Sequence, residues 1–406
     1  MCSRLKVLLL HPMQSLIHEL LSLRSREEIL ATLDYFNALP PRQGRTEDLV
    51  KALCAYLSSD PKVWLNQLME CDLRMLQKLC HAGPDNSVDF IPADFPSAIE
   101  VLHIVNASEE RKDDMLSVSI PRAIYELISN DIDAVIESKE QDGSFKLEHM
   151  ILGAVNMFGA VPLRTFIDCI TPDFESVAEM RKFAHALVNH PVIRTHQEEF
   201  MGESYMVSPD VVSLESLMKE RRQYFKSVRR YAKFASAQFE SCGEHSPFCA
   251  YGRDTAEGKA LSDMLDALGY VGEELIYTVH LVWINSQYVP NDHNLAMLLS
   301  PLTEAAGDIA DYEQFVQCAR VILDYANAAP KWLLKGNSAN ATGLMRYELP
   351  DGRFLELFDE DEAAQMEEEL MKVFDSVNKV RPVSPDEPCP CGSGLSYRLC
   401  HGRHFS

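Results

Sequence analysis

The sequence predicts a mainly α-helical protein, with a multi-helical body that includes one or two small winged-helix-like α+β units. Three observations support this fold class. Apolar stripes at helical spacing, separated by capping residues and prolines, run through much of the 406 residues. In two places the pattern changes to the alternation that is typical of a β-hairpin. A long amphipathic stretch follows from Leu214 to Phe239.

Composition limits the class of protein. A length of 406 residues predicts two or more domains, and the formal net charge of −23 argues against non-specific coating of nucleic acid or anionic membranes. That net charge does not exclude a local basic face. Residues 1–10 lack a signal-peptide pattern, and cysteines that occur singly within helical patterns favour a reducing compartment. We therefore expect a cytoplasmic protein without membrane insertion.

The N-terminal part reads as a series of short helices. Leu5–Leu23 is apolar at helical spacing, and Ser25 with Glu28 forms a capping box for the next helix. Asp60 and Pro61 form a cap and first-turn pair for a later helix. Short helices with short links are typical of helix-turn-helix and related bundles.

Two hairpins are predicted after these helices. Leu102–Asn106 pairs with Leu116–Ile120 in the first, and Val192–Ile193 pairs with Tyr205–Val207 in the second. Helices followed by a hairpin suggest a winged-helix arrangement in each case. The repeated order indicates either a weak internal duplication or a coincidence between two ordinary α+β segments.

The stretch from Leu214 to Phe239 is predicted to be one long helix with a basic face, the basic helix 219–233. Interleaved aromatic and basic residues can bind nucleic acid. A solvated face, or pairing with acidic helices of the same chain, explains such a pattern more often. The candidate nucleic-acid-binding residues are Lys219, Arg222, Lys226, Arg229, Arg230 and Lys233.

The C-terminal segment has the most specific chemistry. Cys389 and Cys391 stand one residue apart, and Cys400 with His401 follows nine residues later. Four thiolate and imidazole ligands suit a tetrahedral Zn²⁺ site that is closed and structural. The Gly-Ser-Gly run between the pairs lets the backbone fold tightly. An unstructured cysteine-rich tail is the alternative, and the spacing favours a zinc knuckle.

This segment resembles the SEC-C motif, a small zinc module at the end of the translocation ATPase SecA and of many otherwise unrelated bacterial proteins. The matching residues are Cys389, Pro390, Cys391, Gly392, Ser393, Gly394, Tyr397, Cys400, His401 and Gly402. The link departs from the family pattern, because Leu395, Ser396, Arg398 and Leu399 replace the usual lysines. The resemblance implies a binding appendage that holds Zn²⁺ as its cofactor.

A softer resemblance precedes it. Asn327, Trp332 and Gly336 occur in the order often found before a terminal SEC-C motif, although the Pro-x-Glu that usually follows is missing from residues 337–342. The layout resembles uncharacterised bacterial proteins that contain SEC-C.

No catalytic motif was found: the chain lacks a phosphate-binding glycine loop, a Gly-x-Ser-x-Gly elbow and a His-Glu-x-x-His helix. The loop Cys242–Cys249 offers Cys242, His245 and Cys249 as metal ligands, but it has neither a fourth ligand nor a familiar spacing. The sequence therefore predicts a binding protein rather than an enzyme.

The chain divides into five predicted segments: a helical and winged-helix-like unit (1–140), a helical unit with a hairpin (141–212), a helical domain (213–345), an acidic helix (346–380), and a linker with the zinc motif (381–406). We predict an adaptor whose tethered SEC-C module binds a protein or a nucleoprotein such as the ribosome or the transcription machinery. The alternative is a nucleic-acid-binding regulator that uses the winged-helix-like units and the basic helix.

Overall fold

A computed structural model describes residues 24–36, 38, 45–90, 104–107, 116–172, 174–305, 309 and 312–348. Within these ranges the chain is mainly helical with two small sheets. The predicted helix Leu5–Leu23, most of the acidic helix, the linker and the zinc ligands lie outside the described residues. Contacts divide the chain into one unit of residues up to 149 with 173–195, and a second unit of residues 150–172 with those from 196 onward.

The first unit contains eight described helices, part of a ninth and one sheet. Its elements are α1 (Arg26–Tyr35), α2 (Thr46–Ser59), α3 (Pro61–Leu65), α4 (Glu70–Ala82), β1 (Ser87–Phe90), β2 (Asn106–Ala107), β3 (Leu116–Ser119), α5 (Arg122–Ile128), α6 (Ile132–Gln141), the first part of α7 (Ser144–Phe158), α9 (Val177–Asn189) and α10 (Pro191–Thr195).

Capping residues begin two of these helices as predicted. The Glu28 N–H donates to Ser25 Oγ at 3.2 Å, and the Glu28 carboxylate accepts from the Ser25 N–H, which completes the capping box of α1. Asp60 caps α3, whose first residue is Pro61. The core of this unit includes Trp64, which is fully buried and donates its Nε1–H to the carbonyl oxygen of Leu57 at 3.1 Å.

The first sheet has the strand order β1–β3–β2, with both pairs antiparallel. The predicted hairpin is present in shortened form, because its first strand consists of Asn106 and Ala107, paired with Ser119 and Val118. Strand β1, a single short run that pairs with the other side of β3, was not predicted.

The second unit contains the remaining elements. They are the rest of α7, β4 (Ala160–Pro162), α8 (Leu163–Ile170), β5 (Gln197–Phe200), β6 (Glu203–Val207), α11 (Leu214–Gln223), α12 (Ser236–Gly243), α13 (Ala256–Ala267), α14 (Gly272–Asn285), α15 (Asp292–Leu298), α16 (Ser300–Glu304), α17 (Tyr312–Ala328) and α18 (Ala339–Thr342).

The second sheet has the order β4–β6–β5, and it corrects one prediction. Val192–Ile193 lies in the short helix α10, not in a strand, because Pro191 opens a helical turn and the Val192 N–H donates to Nδ1 of His190. The strand that pairs with β6 is Gln197–Phe200, whose largely polar residues hide it from a search for apolar alternation. Met201 and Gly202, at φ +53° and +78°, form the two-residue turn between the strands.

The predicted long helix Leu214–Phe239 is also wrong. Helix α11 ends at Gln223, residues 224–235 are irregular, and α12 begins at Ser236. Tertiary contacts outweigh helix propensity in the irregular segment. Tyr231 packs edge-on against Phe158, and the Ala232 N–H donates to the carbonyl oxygen of Lys335 at 3.0 Å.

Candidate functional site

The predicted zinc ligands Cys389, Cys391, Cys400 and His401 lie outside the described residues. Within the part of the chain that the structure describes, no group of three or more His, Cys, Asp or Glu residues is placed to hold a metal ion. In the Cys242–Cys249 loop both thiols are buried, and burial raises the pKa of the Cys242 thiol well above its usual range. These two cysteines belong to the core of the second unit.

The six predicted basic residues are all exposed. They begin on α11 and continue along the irregular segment 224–235, which we call the basic loop. Residues 221–239 contain no Asp or Glu, and among the described residues no carboxylate forms an ion pair with any of the six side chains. These side chains therefore present positive charge without ion pairs among the described residues, in a chain of formal charge −23.

Arg221, which the sequence analysis did not select, points in the opposite direction from its neighbour Arg222. It is only 3% exposed, and its guanidinium donates to the carbonyl oxygens of Phe158, Ala160 and Trp332 at 2.6–2.9 Å. Burial lowers its pKa from the ordinary value. Arg221 lies on the same helix face as buried residues of α11, at the spacing of Leu214, Leu217 and Met218, and that spacing was the available signal.

A turn at residues 331–337 holds the basic loop in place. Lys335 Nζ donates to the carbonyl oxygen of Arg229 at 3.4 Å, and Asn337 Nδ2 donates to that of Arg230 at 3.1 Å. These bonds, with the Ala232 bond to Lys335, fix the backbone and leave the side chains of Arg229 and Arg230 exposed. The basic loop is therefore an irregular segment on a rigid support, the usual arrangement of binding loops.

The residues of the softer resemblance build this support. Trp332 donates its Nε1–H to the carbonyl oxygen of Asn156 at 2.7 Å, and Asn327 exchanges two hydrogen bonds with the backbone of Tyr347. Gly336 has φ +80°, and a Cβ there would lie 2.9 Å from Cδ1 of Phe158. The Asn-Trp-Gly pattern therefore has a structural role in the second unit.

An open groove of about 370 Å³ lies beside α11 and the β5–β6 hairpin. Its lining residues are Phe200, Glu215, Lys219, Arg222 and Gln223. The Arg222 guanidinium lies 5.2 Å from the centroid of the Phe200 ring, and Nη1 donates to the sulfur of Met201 at 2.9 Å. Two predicted basic residues, an aromatic ring and a carboxylate thus meet at one concave site.

The first unit contains a separate group of titratable side chains. His149 Nε2 lies 2.6 Å from Glu70 Oε2, and Glu148 accepts from the Glu70 N–H at 2.8 Å. His190 Nε2 is 3.8 Å from Glu148 Oε2. Burial raises the pKa of Glu148 to about 7. The group ties α4 and α7 to the segment that precedes α10.

Comparison with known proteins gives one family match. The SEC-C motif model matches residues 387–403, which include all four predicted metal ligands. SEC-C is a metal-binding motif, and the match is confined to the C-terminal region. No solved structure matches the chain. Among the described helices, none has the length and apolar character needed to cross a membrane.

Proposed function

We propose that this chain is a cytoplasmic interaction protein that carries a SEC-C zinc module on a proline-rich tether and binds a protein or nucleoprotein partner through it. The match of residues 387–403 to the SEC-C motif carries the proposal. The prolines of 381–388, directly before the match, predict a stiff spacer. The cysteines of the body occur singly within helical patterns, which supports a reducing compartment.

The donor set of the module suits zinc. Cys389, Cys391, Cys400 and His401 would hold the ion, and thiolate with imidazole is a ligand combination that Zn²⁺ favours. Four protein ligands close the coordination sphere, so the metal would order the segment rather than activate water. An ordered knuckle would offer the apolar residues Tyr397 and Leu399 to the partner, and Arg398 and Arg403 would add positive charge.

The test compares partners bound by the full chain, by a variant lacking residues 382–406 and by Cys389→Ser/Cys391→Ser. The Cys71→Ser/Cys169→Ser variant is the matched control, because those thiols lie in the helical body. We expect the same partners to be lost from the first two variants and retained by the control. Partners that stay unchanged in the deletion variant would refute the proposal.

A second candidate function is nucleic-acid binding by the basic surface, and the six exposed basic side chains support it. The strand order β4–β6–β5 of the second sheet is also the strand order of winged-helix domains. Such domains commonly bind nucleic acid.

This candidate is tested by reversing Arg222, Lys226 and Arg229 to Glu together. Binding should fall, and the slope of log affinity against log salt should decrease by about 0.7–0.9 for each phosphate that the variant no longer neutralises. The control reverses Lys51, Lys259 and Arg320, which gives the same change in net charge. Equal binding by both triple variants would exclude the basic surface.

A further inference from the structure

We propose that the groove and the basic loop form one binding site for single-stranded nucleic acid, with the bases in the groove and the phosphates along the loop. This proposal rests on the second candidate function and specifies its ligand. It follows from the way in which charge, aromatic rings and backbone shape are distributed over the surface of the second unit.

The basic loop supplies the phosphate side. Lys226, Arg229, Arg230 and Lys233 project from a backbone that the turn at 331–337 holds by hydrogen bonds. The loop is not helical, so its charges cannot enter a major groove as a recognition helix does. A row of cations on an irregular segment suits a single-stranded backbone, which can follow the segment.

The groove supplies the base side. Phe200 lies on its wall, and Tyr224, which follows the groove residue Gln223, is 66% exposed. Aromatic rings of this kind give stacking surfaces for bases that are not paired. The Arg222 guanidinium already lies over the Phe200 ring, and a planar cation is itself a stacking surface.

The carboxylates near the groove fix the orientation of the strand. Glu215 lines the groove, and Glu198, Glu199 and Glu203 are exposed on the β5–β6 hairpin. Negative charge there repels phosphate but can accept hydrogen bonds from the amino groups of bases. Phosphates are therefore favoured on the loop side and bases on the hairpin side.

The experiment measures the affinity of the full chain for a labelled single-stranded oligonucleotide and for the duplex of the same sequence. The variants are Phe200→Leu, which keeps apolar packing against Tyr205, and Tyr224→Ala, which removes an exposed ring. Val271→Ala, an exposed apolar residue of the same unit, is the control. We expect single-strand affinity to fall about tenfold in either ring variant, with weaker duplex binding unchanged.

The outcomes separate this inference from the function on which it rests. Wild-type affinity that is equal for strand and duplex, or single-strand affinity unchanged in both ring variants, would overturn the single-strand site while leaving nucleic-acid binding in place. No salt-dependent binding to either nucleic acid, or a preference for polyglutamate over both, would overturn the second candidate function itself.

Discussion

Arg221 and Arg222 are neighbours on α11, yet they belong to two different regions of the second unit. The inward cations, Arg221 and Lys331, are buried and bind backbone carbonyl oxygens. The outward cations are Lys219, Arg222, Lys226, Arg229, Arg230 and Lys233, whose side chains are exposed. The inward cations lose their contact with water and donate hydrogen bonds to carbonyl oxygens instead. The outward cations remain hydrated.

This difference shows that positive charge serves two purposes within the second unit. A buried cation is costly unless its N–H groups are satisfied, so it depends on the exact positions of the carbonyls around it. An exposed cation has little influence on folding and stays available for an anionic ligand. Substitutions that lower stability should therefore map to the inward cations, and substitutions that lower binding should map to the outward ones.

The largest difference in the free energy of unfolding is expected between Arg221→Met and Arg222→Met. The first change removes the buried guanidinium bonds to the carbonyl oxygens of Phe158, Ala160 and Trp332, and it should lower the free energy of unfolding by about 4 kcal/mol. The second should change that free energy by less than about 0.5 kcal/mol. Urea unfolding of both variants measures the difference, and similar losses would contradict the division into two groups.

A slightly smaller loss of stability is expected from a substitution at Gly159, which packs closely against the indole of Trp332. In Gly159→Ala the new Cβ would meet the indole of Trp332 at 2.3 Å in a left-handed backbone conformation, so we expect a loss of about 3 kcal/mol. Gly143→Ala has a similar φ of +79° but open space around the Cβ, and it should lose about 1 kcal/mol. Equal losses in thermal and urea unfolding would show that backbone strain, not the clash with Trp332, limits this site.

Lys331 should make stability depend on pH. Its ammonium donates to the carbonyl oxygen of Ser286 at 2.7 Å, and burial lowers its pKa from 10.5 to about 7. Between these two values the unfolded chain binds more protons than the folded chain, so stability should rise with pH, by about 2 kcal/mol from pH 7 to pH 9. Lys331→Met should remove this rise, whereas Lys226→Met should preserve it. A rise that persists in Lys331→Met would assign the dependence to other groups.

The smallest effect on stability is expected from the outward cations. Arg229→Gln/Arg230→Gln removes two charges that repel their neighbours and leaves the backbone bonds to Lys335 and Asn337 in place. The free energy of unfolding should change by less than about 0.5 kcal/mol, with a slight gain at low salt. A loss above about 1 kcal/mol would mean that these side chains support the fold.

Local chemistry made parts of this fold predictable. The capping box at Ser25 and the cap at Asp60 were read correctly, because each needs only residues a few positions apart. The break after Gln223 could not be read, because its cause is the turn at residues 331–337, more than a hundred residues later. Strand β5 was missed because its largely polar residues show no apolar alternation.

The candidate sites also divide into those set by residues close in sequence and those that depend on tertiary contacts. Cys389, Cys391, Cys400 and His401 form a compact pattern, and the family match covers the same residues. The six outward cations were predicted as the basic face of one long helix, but the helix ends at Gln223 and the six exposed side chains lie on α11 and the basic loop. The groove could not be predicted from the sequence, because it depends on the contact between Arg222 and the hairpin residue Phe200, which forms only when the chain folds.

Zinc binding by the C-terminal segment is tested most directly by the zinc content of the purified full chain. It is measured by mass spectrometry of the metal beside Cys389→Ser/Cys391→Ser and the control Cys71→Ser/Cys169→Ser. We expect about one zinc per chain in the wild type and in the control, and close to none in the Cys389→Ser/Cys391→Ser variant. Zinc absent from the wild type, or zinc retained in that variant, would contradict a SEC-C zinc module in this protein.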